Sequence, residues 1–79
     1  METVKIRVQR TKEYNPNNWE LVAGDIAKYM VALFIDLSVR VDLENGFAEI
    51  SATLEKEDEE ILQKKFATHI ESGLVTFNK

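Results

Sequence analysis

The side chains that most often carry out enzymatic chemistry are sparse in this sequence. Its 79 residues include no cysteine and a single histidine, His69. These counts exclude a disulfide scaffold, a cysteine nucleophile, a thiolate zinc site and any metal site that needs two histidines. His69 falls in the apolar stripe of a predicted helix, and no serine lies in a nucleophile motif that its imidazole could activate. We therefore expect that the protein is not an enzyme.

Two patterns that could bind a metal ion or a phosphate group have simpler structural explanations. The acidic run Asp42–Gly46 lacks the twelve-residue ligand spacing and the terminal glutamate of a calcium loop. Its last two residues, Asn45 and Gly46, are typical of a hairpin turn. The three glycines of the chain form no phosphate-binding loop. We expect no metal ion and no cofactor.

Carboxylates are the abundant reactive groups. The chain has 14 acidic and 10 basic residues, which gives a formal net charge of −4. Nine of the acidic residues lie between Asp36 and Glu60, against two basic ones. Such a cluster can stabilise the positive end of a helix dipole and keep a protein soluble, or it can attract a basic partner. The predicted partner-binding residues are Glu55, Glu57, Asp58, Glu59, Glu60, Asp42 and Glu44.

Hydrophobic periodicity predicts the elements that must position these groups. Alternation of apolar and polar residues indicates strands, and an apolar stripe at intervals of three and four residues indicates helices. A polar loop, Thr11 to Asn18, separates the first strand from the first helix, and Gly73 suits the position just after the second helix. The predicted order is strand Thr3–Gln9, helix Trp19–Leu33, strands Leu37–Asp42 and Phe47–Leu54, helix Glu57–Ser72 and strand Leu74–Phe77.

The hairpin between the second and third strands is the strongest local signal. Asn45 and Gly46 suit the two positive-φ positions of a type I′ turn. A two-residue turn would pair Val41 with Ile50 on the apolar face, and it would set Asp42 opposite an acidic residue, Glu49, on the polar face. This juxtaposition is mildly unfavourable. A cation on a neighbouring strand would relieve it.

The order βαββαβ with right-handed crossovers predicts a ferredoxin-like split sandwich of the α+β class. It has a four-stranded antiparallel sheet in the order 4-1-3-2, with two helices on one face, in a single compact domain over residues 1–79. The longest apolar run, Tyr29–Ile35, is seven residues long, and a membrane span needs about 20. The first ten residues carry no apolar segment of the signal-peptide type. We expect a cytoplasmic protein.

The outer face of this sheet is predicted to be polar. Base stacking by proteins of the RNA-recognition type needs aromatic side chains on the two central strands, and the negative net charge opposes phosphate. We therefore expect no direct binding of nucleic acid. The outward positions of the central strands are Lys5, Arg7, Gln9, Glu49, Ser51 and Thr53, none of which is aromatic.

Two further surfaces could contact a second subunit or a target. The outer side of the first helix carries Leu21 and Val31 with few charges, and the last strand, with Leu74 and Thr76, is an uncharged sheet edge. A homodimer is expected from these features. Taken together, the patterns predict a small acidic, non-catalytic regulator or inhibitor that covers a basic, nucleic-acid-binding surface of a partner protein. The alternative is a dimeric regulatory module that senses a small ligand, or a subunit of a larger assembly.

Overall fold

The computed structural model describes residues 2–11 and 18–78 of the chain. It contains seven elements in the predicted order, except that the second helix is divided into two. The loop predicted from Thr11 to Asn18 lies almost wholly outside the described residues. The elements are β1 (Glu2–Gln9), α1 (Asn18–Ala32), β2 (Leu37–Asp42), β3 (Phe47–Leu54), α2 (Lys56–Lys65), α3 (Ala67–Glu71) and β4 (Val75–Asn78).

The four strands form one antiparallel sheet in the order β2-β3-β1-β4. This is the predicted order 4-1-3-2 read from the other edge, so the α+β class and the strand order are confirmed. Strands β1 and β3 are central and pair along their whole length, from Glu2 opposite Leu54 to Gln9 opposite Phe47. Strands β2 and β4 are the two edges of the sheet.

One hydrophobic cluster joins the sheet to the helices. Val4, Ile6 and Val8 alternate along β1 and are fully buried, and Ile26 of α1 and Leu62 of α2 belong to the same cluster. Because side chains two apart in a strand share a face, α1 and α2 must cover the same side of the sheet. Full burial of each of these side chains contributes about 1.5–3 kcal/mol.

The predicted second helix is interrupted at Phe66. This residue has φ −111° and ψ 25°, which is not helical, and its N–H donates to the carbonyl of Leu62 at 3.0 Å. Its ring is buried and meets the ring of Tyr29 edge to face, with 6.0 Å between centroids. The chain then turns through α3 and ends it at Gly73, whose φ of 84° confirms the predicted terminal glycine.

The predicted register of the hairpin is wrong by two residues. The turn has four residues, Leu43–Gly46, and Asp42 pairs with Phe47. Only Gly46 has a positive φ, whereas a type I′ turn needs two such residues. The carboxylate of Asp42 accepts the backbone N–H of Asn45 at 2.9 Å and its side-chain amide at 2.8 Å, which stabilises the wider turn.

The shift in register is even, so every side chain of β2 stays on its predicted face. Arg40, rather than Asp42, now lies opposite Glu49, which replaces the predicted repulsion with an attraction. Val39 and Val41 lie on the helix side of the sheet but are half exposed. Helix α1 does not extend over this edge, and an apolar groove of about 270 Å³ remains between the helix and the two valines.

Candidate functional site

The outer face of the sheet carries an aromatic side chain that the sequence prediction did not include. Phe47 alternates with Ala48 of the core and is only 7% exposed, yet it does not belong to the hydrophobic cluster. The guanidinium carbon of Arg7 lies 3.9 Å from its ring centroid and that of Arg40 lies 5.3 Å away. Two cations therefore cover this ring, and the prediction of an aromatic-free face is wrong.

The charges of the outer face are largely satisfied within the face. Arg7 also approaches Glu49 at 3.9 Å between Nη1 and Oε2, and its Nε donates to Gln9 at 3.1 Å. Stacking on an aromatic ring and pairing with a carboxylate both hold a guanidinium in place. Because Phe47 is covered, it offers no open ring on which a nucleic-acid base could stack.

The predicted partner-binding residues do not form one surface. Asp42 and Glu44 lie at the hairpin turn, whereas the others lie where β3 leads into α2. Strand β3 has eight residues, so its two ends are about 23 Å apart at a rise of ~3.3 Å per residue. In addition, the carboxylate of Asp42 is already used in the turn. The hydrogen bonds from the backbone and side chain of Asn45 lower its pKa below the ordinary value.

The residues predicted around the start of α2 differ in accessibility. Glu59 is buried, and its carboxylate accepts a long hydrogen bond of 3.5 Å from Gln63, so it is not part of the exposed acidic surface. Its position in the helix turns it toward the sheet. Glu55, Glu57 and Glu60 are exposed, and Asp58 is half buried.

The fold adds Asp36 to the exposed carboxylates. A concavity of about 400 Å³ lies at the loop between α1 and β2, and its lining brings Asp36 together with Glu55 and Asp58. We call this region the acidic end of the molecule. It consists of Asp36, Glu55, Glu57, Asp58 and Glu60.

The carboxylates of the acidic end form no ion pairs with the described residues. Within residues 2–11 and 18–78, no lysine, arginine or histidine nitrogen is found within 4.0 Å of any of them, whereas Glu49 has Arg7. Glu55 occupies the N-cap position of α2, but its side chain accepts no capping hydrogen bond. Capping by Glu55 and ion pairing therefore do not account for these groups. Glu57 and Asp58 lie in the first turn of α2, where they stabilise the positive end of the helix dipole.

A phenylalanine projects from the same loop. Phe34 is 97% exposed and has φ 62°, which makes it the one described non-glycine residue with a positive φ. It lines the same concavity as Asp36 and Glu55. Sequence analysis missed it because it lies inside the apolar run Tyr29–Ile35 and counted only as part of a helix or strand. The one available signal was that no glycine follows α1 to end it.

The residues predicted to contact a second subunit or a target also include both exposed and buried side chains. Leu21 and Val31 are exposed on the outer side of α1, and Thr76 is exposed on β4. Leu74 is 1% exposed and belongs to the core, so it presents almost no surface to a partner. His69 is half buried in α3, away from the acidic end.

Metal sites, membrane-spanning helices and similarity to known proteins were considered as further indications of function. Among the described residues, no group of three or more histidine, cysteine, aspartate or glutamate side chains is arranged to hold a metal ion. No helix in the described part of the chain is both long enough and apolar enough to cross a membrane. Comparisons with protein-family models, with curated proteins and with solved structures found no match.

Proposed function

We propose that this chain is a small acidic regulator, without catalytic activity, that binds a basic surface of a partner protein through its acidic end. The partner surface is one that would otherwise bind nucleic acid, and the carboxylates stand where phosphates would. The fold we assign is ferredoxin-like, which the strand order β2-β3-β1-β4 and the antiparallel pairing support. This fold serves many unrelated functions, so the surface of the protein, and not its fold, supports the proposal.

The observation that carries this proposal is the lack of ion pairs at the acidic end. Five carboxylates lie there, in the loop before β2 and at the start of α2, against one lysine in the same stretch, Lys56, and among the described residues none of the five forms an ion pair. Charges that are already paired contribute little to the field at a distance, whereas unpaired ones add up. A surface of this kind raises the rate of encounter with a basic protein by ten-fold or more at low salt.

Charge reversal at the acidic end tests the proposal. A partner is first captured from the source cells, identified and purified, and its association rate is then measured. The double variant Glu57→Lys/Glu60→Lys is expected to associate at least ten-fold more slowly at low salt, and the difference should disappear at high salt.

The matched control is Glu20→Lys/Asp25→Lys, which changes the net charge by the same amount at exposed positions of α1. It should retain most of the association rate, because the proposal makes the rate depend on the charge of the acidic end and not on the net charge of the protein. Equal slowing by both double variants, or binding that does not respond to salt, would contradict the proposal.

One observation favours the alternative, a dimeric module that senses a small ligand. A concavity of about 600 Å³ lies between the edge strand β4 and the helices α2 and α3, with Phe77 and Ile70 in its lining. A ligand that binds there would raise the Tm, and the gain would grow with the logarithm of its concentration once that exceeds the Kd. A screen of metabolites by thermal shift, together with light scattering for the oligomeric state, would distinguish this alternative from the acidic regulator.

A further inference from the structure

We infer that Phe34 is the apolar anchor of the interface formed by the acidic end, and that the partner presents an apolar pocket bordered by lysine and arginine side chains. This inference rests on the proposed function and specifies the partner more closely. It follows from the conformation of Phe34, from its exposure and from the charges that surround it.

The conformation of Phe34 is set by the end of α1. Its N–H donates to the carbonyl of Val31 at 2.9 Å, and the N–H of Ile35 donates to the carbonyl of Met30 at 3.1 Å. These two bonds form a Schellman motif, and Ile35 packs against the core beside Met30, as is usual for this motif. Phe34 occupies the left-handed position of this motif, which is normally a glycine.

Nothing in the described part of the chain requires a phenyl ring at this position. A bulky side chain in the left-handed region is strained, and a side chain that is 97% exposed makes almost no compensating contact. A glycine would complete the same hydrogen bonds without strain. The ring is therefore explained by a contact outside the monomer better than by the fold.

The surrounding charge selects one class of partner. Asp36, Glu55 and Asp58 share the concavity with Phe34 and give it a local charge of −3. This charge opposes nucleic acid and the anionic lipids of membranes. A basic protein surface is attracted instead, and an exposed aromatic ring within a polar rim is the usual arrangement of a binding hot spot.

A second copy of the chain is a poorer occupant. The acidic ends of two copies repel each other. The cations Lys5, Arg7 and Arg40 lie on the outer face of the sheet, but Phe47 already fills the space between the two arginines there. That face consequently offers no apolar pocket to receive Phe34 from another molecule.

The test begins with p-benzoylphenylalanine, a photo-cross-linking analogue, at position 34 in the full chain. The control places it at Leu43, which is also exposed and apolar but lies at the hairpin turn. The protein cross-linked from position 34 is purified, and its Kd is measured for four chains. These are the wild type, Phe34→Gly, Leu43→Gly and Glu57→Lys/Glu60→Lys.

We expect Phe34→Gly to weaken binding by at least about 30-fold at both low and high salt, as loss of a hot spot does. Leu43→Gly should stay within about three-fold of the wild type, as most interface and surface truncations do. The Tm of Phe34→Gly should be equal to or higher than that of the wild type. Loss of binding with an unchanged or raised Tm would separate a contact role from a role in folding.

The two proposals fail in different ways. If charge reversal weakens binding but Phe34→Gly does not, the acidic regulator stands and the anchor is overturned. If Phe34→Gly weakens binding and charge reversal has no effect, Phe34 is an anchor but the electrostatic function is overturned. The absence of any cross-linked protein at position 34, or self-cross-linking alone, overturns the anchor with a basic partner.

Discussion

Two phenylalanines of this protein lie outside the hydrophobic core in opposite surroundings. Phe47, on the outer face of the sheet, is 7% exposed under the guanidinium groups of Arg7 and Arg40. Phe34, at the end of α1, is 97% exposed and is bordered by carboxylates. The first surface covers its own ring and pairs Arg7 with Glu49. The second surface has neither a cover for its ring nor, among the described residues, ion-pair partners for its carboxylates.

This difference indicates where to look for function in a protein without motifs. Neither the presence of an aromatic ring nor the sign of the nearby charge distinguishes a binding surface from a solubilising one. What distinguishes them is whether the monomer itself supplies the complementary groups. At Phe47 it does so, and at Phe34 it does not, which makes the stability of the fold depend on one ring and not on the other.

The largest expected effect separates the two rings directly. Phe47→Ala should lower the free energy of unfolding by about 3 kcal/mol, because it removes a buried ring and the support of two arginines. Phe34→Ala should change it by less than about 0.5 kcal/mol, as exposed substitutions do. Urea denaturation of both variants measures this difference in the free energy of unfolding. Equal losses of stability would contradict the comparison.

The cover over Phe47 should itself be measurable. Arg7→Ala should cost about 1 kcal/mol, because the close guanidinium both stacks on the ring and approaches Glu49. Arg40→Ala should cost less, since its guanidinium lies 1.4 Å farther from the centroid, at 5.3 Å against 3.9 Å. The two unfolding curves, compared with that of Lys5→Ala, rank the contacts. A larger loss from Arg40→Ala would contradict the geometry.

A smaller effect of the opposite sign is expected at the bare ring. Phe34→Gly should raise the free energy of unfolding by about 0.5 kcal/mol, because relief of left-handed strain exceeds the entropy that glycine adds to the unfolded chain. Val31→Gly, an exposed position inside α1, should instead lower it by about 0.5 kcal/mol. If both glycine variants are destabilised equally, the phenyl ring contributes to the fold after all.

The smallest effect concerns the acid at the hairpin turn, which belongs to the self-satisfied part of the molecule. Hydrogen bonds from Asn45 hold the pKa of Asp42 below its ordinary value of 3.8. A depressed pKa in the folded state means that the contribution is present above 3.8 and is lost as the pH falls through the folded pKa. The Tm of Asp42→Asn, measured across that range, should fall less steeply than that of the wild type.

The faces of the strands could be predicted from the sequence, but the register could not. Alternation places Val39 and Ile50 on one side whether the turn has two residues or four, because the difference is even. The choice of turn depended on whether Asp42 would bond to Asn45, which competes with the Asn-Gly preference at similar energy. The same alternation places Phe47 on the outer face with Glu49. The prediction left it out because an apolar residue was not expected on a polar face.

The candidate site was less predictable than the fold. A count of carboxylates identified Glu55, Glu57 and Glu60, but it could not tell that Glu59 turns inward, since all four lie in one helical turn or beside it. The contribution of Phe34 depends on the left-handed end of α1. No periodicity in the sequence marks that position, because the residue that normally does so, glycine, is absent there.

The distance between the hairpin turn and the acidic end has an electrical consequence. The two are separated by about 23 Å along β3, nearly three Debye lengths at physiological ionic strength, where each is about 8 Å. Under the proposed function, Asp42 and Glu44 therefore cannot reinforce the attraction that Glu57 and Glu60 would exert on an approaching protein. Mutation of the charged residues around the turn, or binding of another molecule there, should therefore leave the electrostatic potential at the acidic end unchanged.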